Sequence, residues 1–498
     1  MTIDQAPPRT VQRRWLAFGF VLAAAFMDLV DGTIVSIALP RIQSDLDAGY
    51  ASAQWILAGY SLTFALVLIT GGRLGDIYGR KKVFLVGITG FTVASIACGA
   101  ATTAEVLVVA RLAQGVTAAL MVPQVISVVM IMFAQNERAK AFALYGATLS
   151  LANVSGPLLG AVFTEYSLFD LHWRAIFYVN VPIGIIAFFG AVRWMPESKS
   201  DTPLRLDYTG IALISLTSFA LMYPLIQGRE EGWPAWMFVL LAAAVPLLLL
   251  FGWSQRRRDR ADGSALVPPE LLRHRSFVVG LVVLLILFSG LASLFLVLNY
   301  ALLVGFGWSP MRTALTGLGF PVGIFLTTGV AQRFATTHGR RLIQVGLSVL
   351  TAGMVLLIVI FSAAGTAVSY WELALPILVM GLGMGLCVSI LTTVVLAAVP
   401  DRSAGAGSGV TNAVLQFGAA VGVAVVGTLL FTLTSGEAAT ADTFADAATK
   451  ALWYNAAVFA LAALLTPLLP RAARDHGGPP PEQPTEPDRN HAAAVTAT

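Results

Sequence analysis

Charge is what this sequence has least of. Only 12% of its 498 residues are Asp, Glu, Lys or Arg, about half the ~25% of a soluble globular domain. So few ionised groups cannot solvate the surface of a water-soluble chain of this length, which excludes an ordinary soluble enzyme. Cysteine is nearly absent: Cys98 and Cys387 both fall inside apolar runs and form no CxxC pair or metal spacing. None of the five His residues lies deep in an apolar run. There is no GxxxxGK[ST] phosphate loop and no soluble module to hold a nucleotide. These absences disfavour ATP-driven work, a metal site and any bound cofactor.

What is present is apolar sequence, in runs of about 20 residues, each long enough to cross a ~30 Å hydrocarbon core. Fourteen spans are predicted, near 15–40, 53–72, 82–101, 105–132, 138–165, 175–194, 206–227, 235–254, 276–303, 312–334, 340–361, 372–398, 405–433 and 450–470. Segments this apolar satisfy their backbone in lipid only as helices. The first span carries Asp28 and Asp31 and is too long for a cleaved signal peptide, so it reads as a retained helix.

The formal charge of +4 does not signal nucleic acid, because the basic residues are spread between spans. Of 31 Lys and Arg, 25 fall on alternate loops and the termini, and five (Arg41, Arg174, Arg229, Arg312, Lys450) on the opposite loops. Arg111 alone sits within a span. By the positive-inside rule both termini are cytoplasmic. The longest basic loop, around 255–275, reads as an anchor with room for anionic lipid.

A faint repeat divides the chain. GRLGDIYGRKK at 72–82 returns as QRFATTHGRR at 332–341, with Arg73, Gly79, Arg80 and Lys81 meeting Arg333, Gly339, Arg340 and Arg341. Asp76 becomes Thr336. The predicted organisation is an N-terminal tail (1–14), a six-helix bundle (15–200), inserted helices 7 and 8 (201–260) outside the core, a second six-helix bundle (261–470) and a disordered tail (471–498). The expected fold is therefore an all-α membrane protein: fourteen transmembrane helices, two pseudo-symmetric bundles plus two inserted helices.

Several of these segments resemble one family. GRLGDIYGRKK is similar to a GxLaDrxGRKK signature, LVVARLAQG at 107–115 to lxxxRxxqG, SGPLLG at 155–160 to GPxxGG, and DGTIVSIALP at 31–40 to DxTIVNVALP. WRAIFYVNVPIG at 173–184 resembles the same group's entry into helix 6. The chain thus resembles the major facilitator superfamily, in its fourteen-helix drug:proton antiporter branch, over roughly 15–470. The resemblance implies alternating access, a gating role for Gly72, Asp76, Gly79 and Arg80, and an antiporter motif at Gly156, Pro157 and Gly160.

The residues themselves supply a coupling chemistry. Asp28 and Asp31 are the only acids predicted deep in the membrane, near the middle of helix 1 and about 60° apart on one face. A charge at a helix centre costs roughly 2.5–3.5 kcal/mol on insertion scales, so it marks a pathway or a pair. Two carboxylates so close in a low dielectric resist simultaneous ionisation, which suits a group that takes and releases a proton. Asp31 ranks first, with Asp28 beside it. Arg111 lies ~6 Å from Asp31 in depth by helical rise, within its side chain's reach if the helices adjoin. Gln114 and Gly115 share its face.

Gly156-Pro157 is expected to break helix 5 and to pack the two halves closely. Asp76 is expected to cap a helix or pair with basic residues. Cavity candidates are Gln54, Trp55, Tyr60, Gln114, Asn153, Asn180, Asn299, Asn412, Gln416 and Glu165, the last as a recruiting charge for cations. The expected function is proton-driven export of amphipathic, cationic small molecules or antibiotics from the plasma membrane, with membrane lipids and protons as partners and a monomer as the working unit. The alternatives are an exporter dedicated to one metabolite or self-made antibiotic, and a non-transporting sensor on the same fold.

Overall fold

In the computed structural model, described residues are 8–166, 170–200, 205–397, 399, 404–434 and 440–469. Among them there is no strand, and fourteen helices are long and apolar enough to cross a membrane. They are α1 (Arg14–Asp45), α2 (Tyr50–Tyr78), α3 (Arg80–Gly99), α4 (Ala104–Met132), α5 (Lys140–Tyr166), α6 (His172–Trp194) and α7 (Tyr208–Gln227). The second half adds α8 (Ala235–Asp262), α9 (Arg275–Gly305), α10 (Pro310–Ala335), α11 (Thr337–Ala364), α12 (Tyr370–Ala397), α13 (Ala406–Leu433) and α14 (Ala441–Leu468). Every predicted span is recovered.

Local chemistry sets the helix ends. Thr103 caps α4, Asp207 caps α7, Thr440 caps α14, and Ser309 caps α10 with Pro310 in the first turn. Between α2 and α3 the chain turns on Gly79 at φ 109°, a region closed to side chains with a Cβ. The matching turn in the second half is tighter: the backbone stays helical through α10 and α11 and leaves that region only at His338, φ −130°.

Three expectations change. The helix that includes α1 begins at Pro8, so part of the expected N-terminal tail is helical; the C-terminal tail lies outside the described residues. α8 stays helical to Asp262, so Arg256, Arg257, Arg258 and Arg260 ride on a helix end rather than a loop. Good helix formers without Gly or Pro carry it past the apolar run, and Gly263 at φ 68° stops it. Helices 7 and 8 are not both outside the core: Met222 and Ile226 of α7 join it, while α8 stays peripheral.

At the basic end the inserted pair is clamped to α2. Arg73, buried, donates to the carbonyls of Ser264 (2.7 Å), Arg205 (3.2 Å) and Ala265. Asp207, fully buried, accepts from Gly210 N (2.8 Å) and Gln255 Nε2 (2.7 Å), with Arg258 3.5 Å away. Buried charge here is tied to backbone carbonyls and amides, which is how such groups tolerate burial.

The two bundles meet most extensively toward one end, and α2 also packs on α13 toward the other, with Ile69 against Gly409. One core unites α1, α2, α4 and α6 with α9–α14 toward the face opposite the basic loops. There Tyr50 of α2 stacks on Phe431 of α13 (4.5 Å), Tyr300 of α9 packs edge-on to Phe431 (5.0 Å), and Tyr300 Oη donates to Gln43 of α1 (2.8 Å). Beside them Ile37, Ala161 and Ala314 form a small seal between α1, α5 and α10. Toward the basic face, a second core holds residues of the first bundle alone. Sealed at one face and joined toward the other along α2 and α13, the bundles leave a cleft open to the basic side.

Candidate coupling site and family membership

The deepest polar cluster is built from four helices of the first bundle. Asp31 of α1 is fully buried and Arg111 of α4 is 1% exposed; their closest atoms, Oδ2 and Nη1, are 2.5 Å apart. The other oxygen of Asp31 accepts from Gln114 Nε2 (2.8 Å) and from Asn180 Nδ2 of α6 (2.7 Å). Ser95 of α3 ties Gln114 (2.8 Å) to Asn180 (3.3 Å) from behind. Arg111 also donates to Ile56 O (3.1 Å) and Gln114 Oε1 (2.7 Å). Asp31 is therefore neutralised by a cation and saturated with donors, the condition under which a buried carboxylate is a stable structural pair.

Asp28 stands differently. It is 8% exposed, and its one protein donor among the described residues is Tyr60 Oη of α2, at 2.5 Å. The Tyr60 ring lies under the guanidinium of Arg111, 4.3 Å from its carbon to the ring centroid. One tyrosine thus links the two acids, its hydroxyl on Asp28 and its face on the cation that holds Asp31. Gly115 makes this possible, because a Cβ there would strike Tyr60 O and Thr63 where α4 crosses α2.

Gly32, next to Asp31, is exposed with nothing within 4 Å of a Cβ position. Asn153 of α5 and Asn412 of α13 are also exposed, their amides donating only to Leu149 O and Ser408 O in their own helices. Amides facing hydrocarbon would be costly, so their exposure marks the cleft. The second bundle repeats the frame without the charge: Asn455 of α14 donates to Ser293 Oγ of α9 (2.9 Å), as Asn180 does to Asp31.

Of the sequence candidates, Asp28, Asp31, Arg111, Gln114, Tyr60 and Asn180 come together. Gln114 and Asn180 serve Asp31 from within the protein rather than lining the cleft. Ser95 was missed; a lone Ser in an apolar run carries no signal of its own. Asn299 is buried in α9, Trp55 packs into the shared core, and Gln416 is half-buried. Gln54 is buried against α13 and pairs, with its amide turned, with Ala424 O (3.2 Å) and Thr428 N (3.3 Å). Glu165 is exposed at the sealed end, but it accepts from Met311 N of α10 (2.8 Å), so it bridges the bundles rather than standing free to recruit cations.

The motif within α5 departs from expectation, while the Asp76 loop takes the second of its two expected forms. Pro157 does not break α5, which is continuous to Tyr166; the lost amide bond is accommodated within one helix. Gly156 and Gly160 face α1 of the same bundle, where a Cβ would meet Thr33 and Ile34, rather than the other half. Asp76 caps no helix start. It lies near the end of α2 and pairs with Arg80 across the Gly79 turn at 2.8 Å, with Gly72 in the last turns beside Pro123.

The profile of the Major Facilitator Superfamily matches residues 21–423 and 281–495. The chain is 41% identical over 436 residues to the probable actinorhodin transporter of Streptomyces coelicolor, covering 87% of this chain and 75% of that one. It is 35% identical to the puromycin resistance protein of Streptomyces alboniger, covering 91% and 90%, and 33% identical to the cephamycin export protein of Amycolatopsis lactamdurans, covering 94% and 95%. Among solved structures, a bacterial homologue of the human lysosomal transporter Spinster, inward-facing and occupied, superposes with a TM-score of 0.66 at 15% identity, over 96% of this chain and all of that one. A match of this extent, on a fold of fourteen membrane helices, makes the chain a transporter of the Major Facilitator Superfamily rather than an enzyme.

Proposed function

We propose that this transporter is a proton-coupled antiporter that exports amphipathic small molecules, cationic ones and antibiotics among them, by alternating access. The basic face is then cytoplasmic, as the positive-inside rule requires of a multi-pass plasma-membrane protein, and the cleft opens inward. One observation carries the coupling: Asp28 keeps 8% exposure and has one protein donor among the described residues, beside an Asp31–Arg111 pair already neutralised. A proton entering by the cleft meets Asp28 first. Asp31 then acts by fixing Arg111 and, through Tyr60, the field at Asp28. A cationic substrate and a proton compete for the same carboxylate, and that competition is the exchange. The proton gradient drives the cycle without a cofactor, and the working unit is a monomer.

Proteoliposomes loaded with a pH-sensitive dye test the reading. Ethidium or puromycin added on the substrate side should release protons in the wild type and not in Asp28→Asn. Equal flux in both would sink Asp28 as the carrier. The 41% relative named for actinorhodin favours a second reading, export of one self-made compound. A toxicity panel in a host stripped of its own pumps separates them, since a multidrug exporter protects against unrelated scaffolds.

A further inference from the structure

The two motif loops on the basic face are alike in sequence, but only the first carries an acid among its basic residues. In the first, Asp76 answers Arg80 at 2.8 Å, and Glu197, which follows α6, accepts from Lys81 N at 3.1 Å. In the second, Thr336 stands where Asp76 does. Arg333, Arg340 and Arg341 have no carboxylate partner among the described residues, and Arg340 reaches only the carbonyl of Leu469, at 3.5 Å. Between α10 and α11 this loop borders an open surface pocket of about 550 Å³ lined by Thr337, His338, Arg340, Arg341 and Gln344. His338 departs from helical geometry here, and its Nδ1 lies 2.9 Å from Thr337 Oγ1.

An exposed apolar stripe precedes the pocket along α10. Val322, Leu326, Val330 and Phe334 recur every four residues along α10, hence along one face, and all are exposed. A cationic pocket at the end of an exposed apolar stripe has the shape of a phospholipid, anionic head in the pocket and acyl chain on the helix. We infer that the α10–α11 loop is a binding site for an anionic phospholipid, whose phosphate supplies the negative charge that Asp76 supplies in the first bundle. Arg340 and Arg341 present forked donors to the phosphodiester, with His338, Thr337 and Gln344 completing its hydrogen bonds. The second gating loop is then complete only in a membrane that holds such lipid, and a juxtamembrane basic pocket of this kind selects headgroups by charge.

The test uses the full-length protein in nanodiscs of phosphatidylcholine, with or without phosphatidylglycerol, read by native mass spectrometry and thermal unfolding. Phosphatidylglycerol should be retained and should raise the Tm. Arg340→Gln/Arg341→Gln should lower that retention on the order of tenfold, while Arg256→Gln/Arg257→Gln, in the separate basic segment at the end of α8, should lower it far less. Arg341→Gln alone, at an exposed position, should give an intermediate loss if the double variant folds poorly. Retention undiminished in both pocket variants, or lost equally in the α8 control, would overturn the site. So would an equal rise in Tm from inorganic phosphate in phosphatidylcholine discs, which would assign the pocket to free anions.

Discussion

Tyr60 donates its hydroxyl to Asp28 at 2.5 Å while its ring lies 4.3 Å beneath Arg111. The two contacts separate cleanly by substitution. Tyr60→Phe keeps the ring under the guanidinium and removes the one donor that orients Asp28. A hydrogen bond to a charged group contributes about 1.5–3 kcal/mol, so pH-gradient-driven efflux should fall roughly tenfold or more. The Tm should stay close to wild type because the packing is unchanged. Tyr60→Ala also removes the cation–π contact and should lower both. Efflux from proteoliposomes and thermal unfolding on the same samples distinguish the two variants.

Asp31 and Arg111 depend on each other in a different way. Asp31→Asn leaves a fully buried guanidinium without its counter-charge, which costs about 3–5 kcal/mol. Asp31→Asn/Arg111→Gln removes both charges and should recover most of the lost Tm while transport stays abolished. A double variant no more stable than the single one would mean that the pair is not what holds α1 to α4.

The sequence announced the fourteen helices because hydrophobic length and the sidedness of Lys and Arg are one-dimensional signals. It also announced Asp31 with Arg111, because charge is rare enough in these spans that few partners exist. It did not rank Asp28 above Asp31 as the less tightly held acid. That ranking depends on Gln114, Asn180 and Ser95 converging from α4, α6 and α3 on one carboxylate, and no linear spacing encodes such convergence. The Arg73 clamp was hidden for a related reason. In a basic loop Arg73 looks like another anchor, and only the return of the chain at Ser264 and Ala265 shows what it binds. Gly156 and Pro157 misled by motif: the small face was legible, but the helix it touches was not.

That small face gives a steric prediction. A Cβ at Gly156 would collide with Thr33 Oγ1 and come within 3.3 Å of Val30 O. Gly156→Ala should therefore cost about 1–3 kcal/mol as α1 and α5 are forced apart. Thr33→Ala removes the hydroxyl in conflict and should restore part of the Tm when combined with it. Additive losses in the double variant would place the strain elsewhere.

The loop between α7 and α8 reaches the sealed face and holds the end of α2. Glu230 accepts from Ala51 N at 2.8 Å, as an N-terminal cap would, and Arg229 lies over the Tyr50 ring at 5.0 Å. Tyr50 in turn stacks on Phe431 of the second bundle, and Thr428 of α13 donates to Leu225 O of α7 at 2.6 Å. The inserted pair thus braces the seal from both bundles, although it contributes nothing to the polar cluster. Removing a capping side chain costs about 0.5–2 kcal/mol. If that loss falls on the sealed conformation alone, Glu230→Ala shifts the balance between conformations by up to about thirtyfold toward opening at this face. Ala161→Cys, placed in the buried seal of a Cys98→Ala/Cys387→Ala background, reports it. Labelling by a membrane-impermeant maleimide should quicken when Glu230→Ala is added, and an unchanged rate would show that the seal closes without the brace.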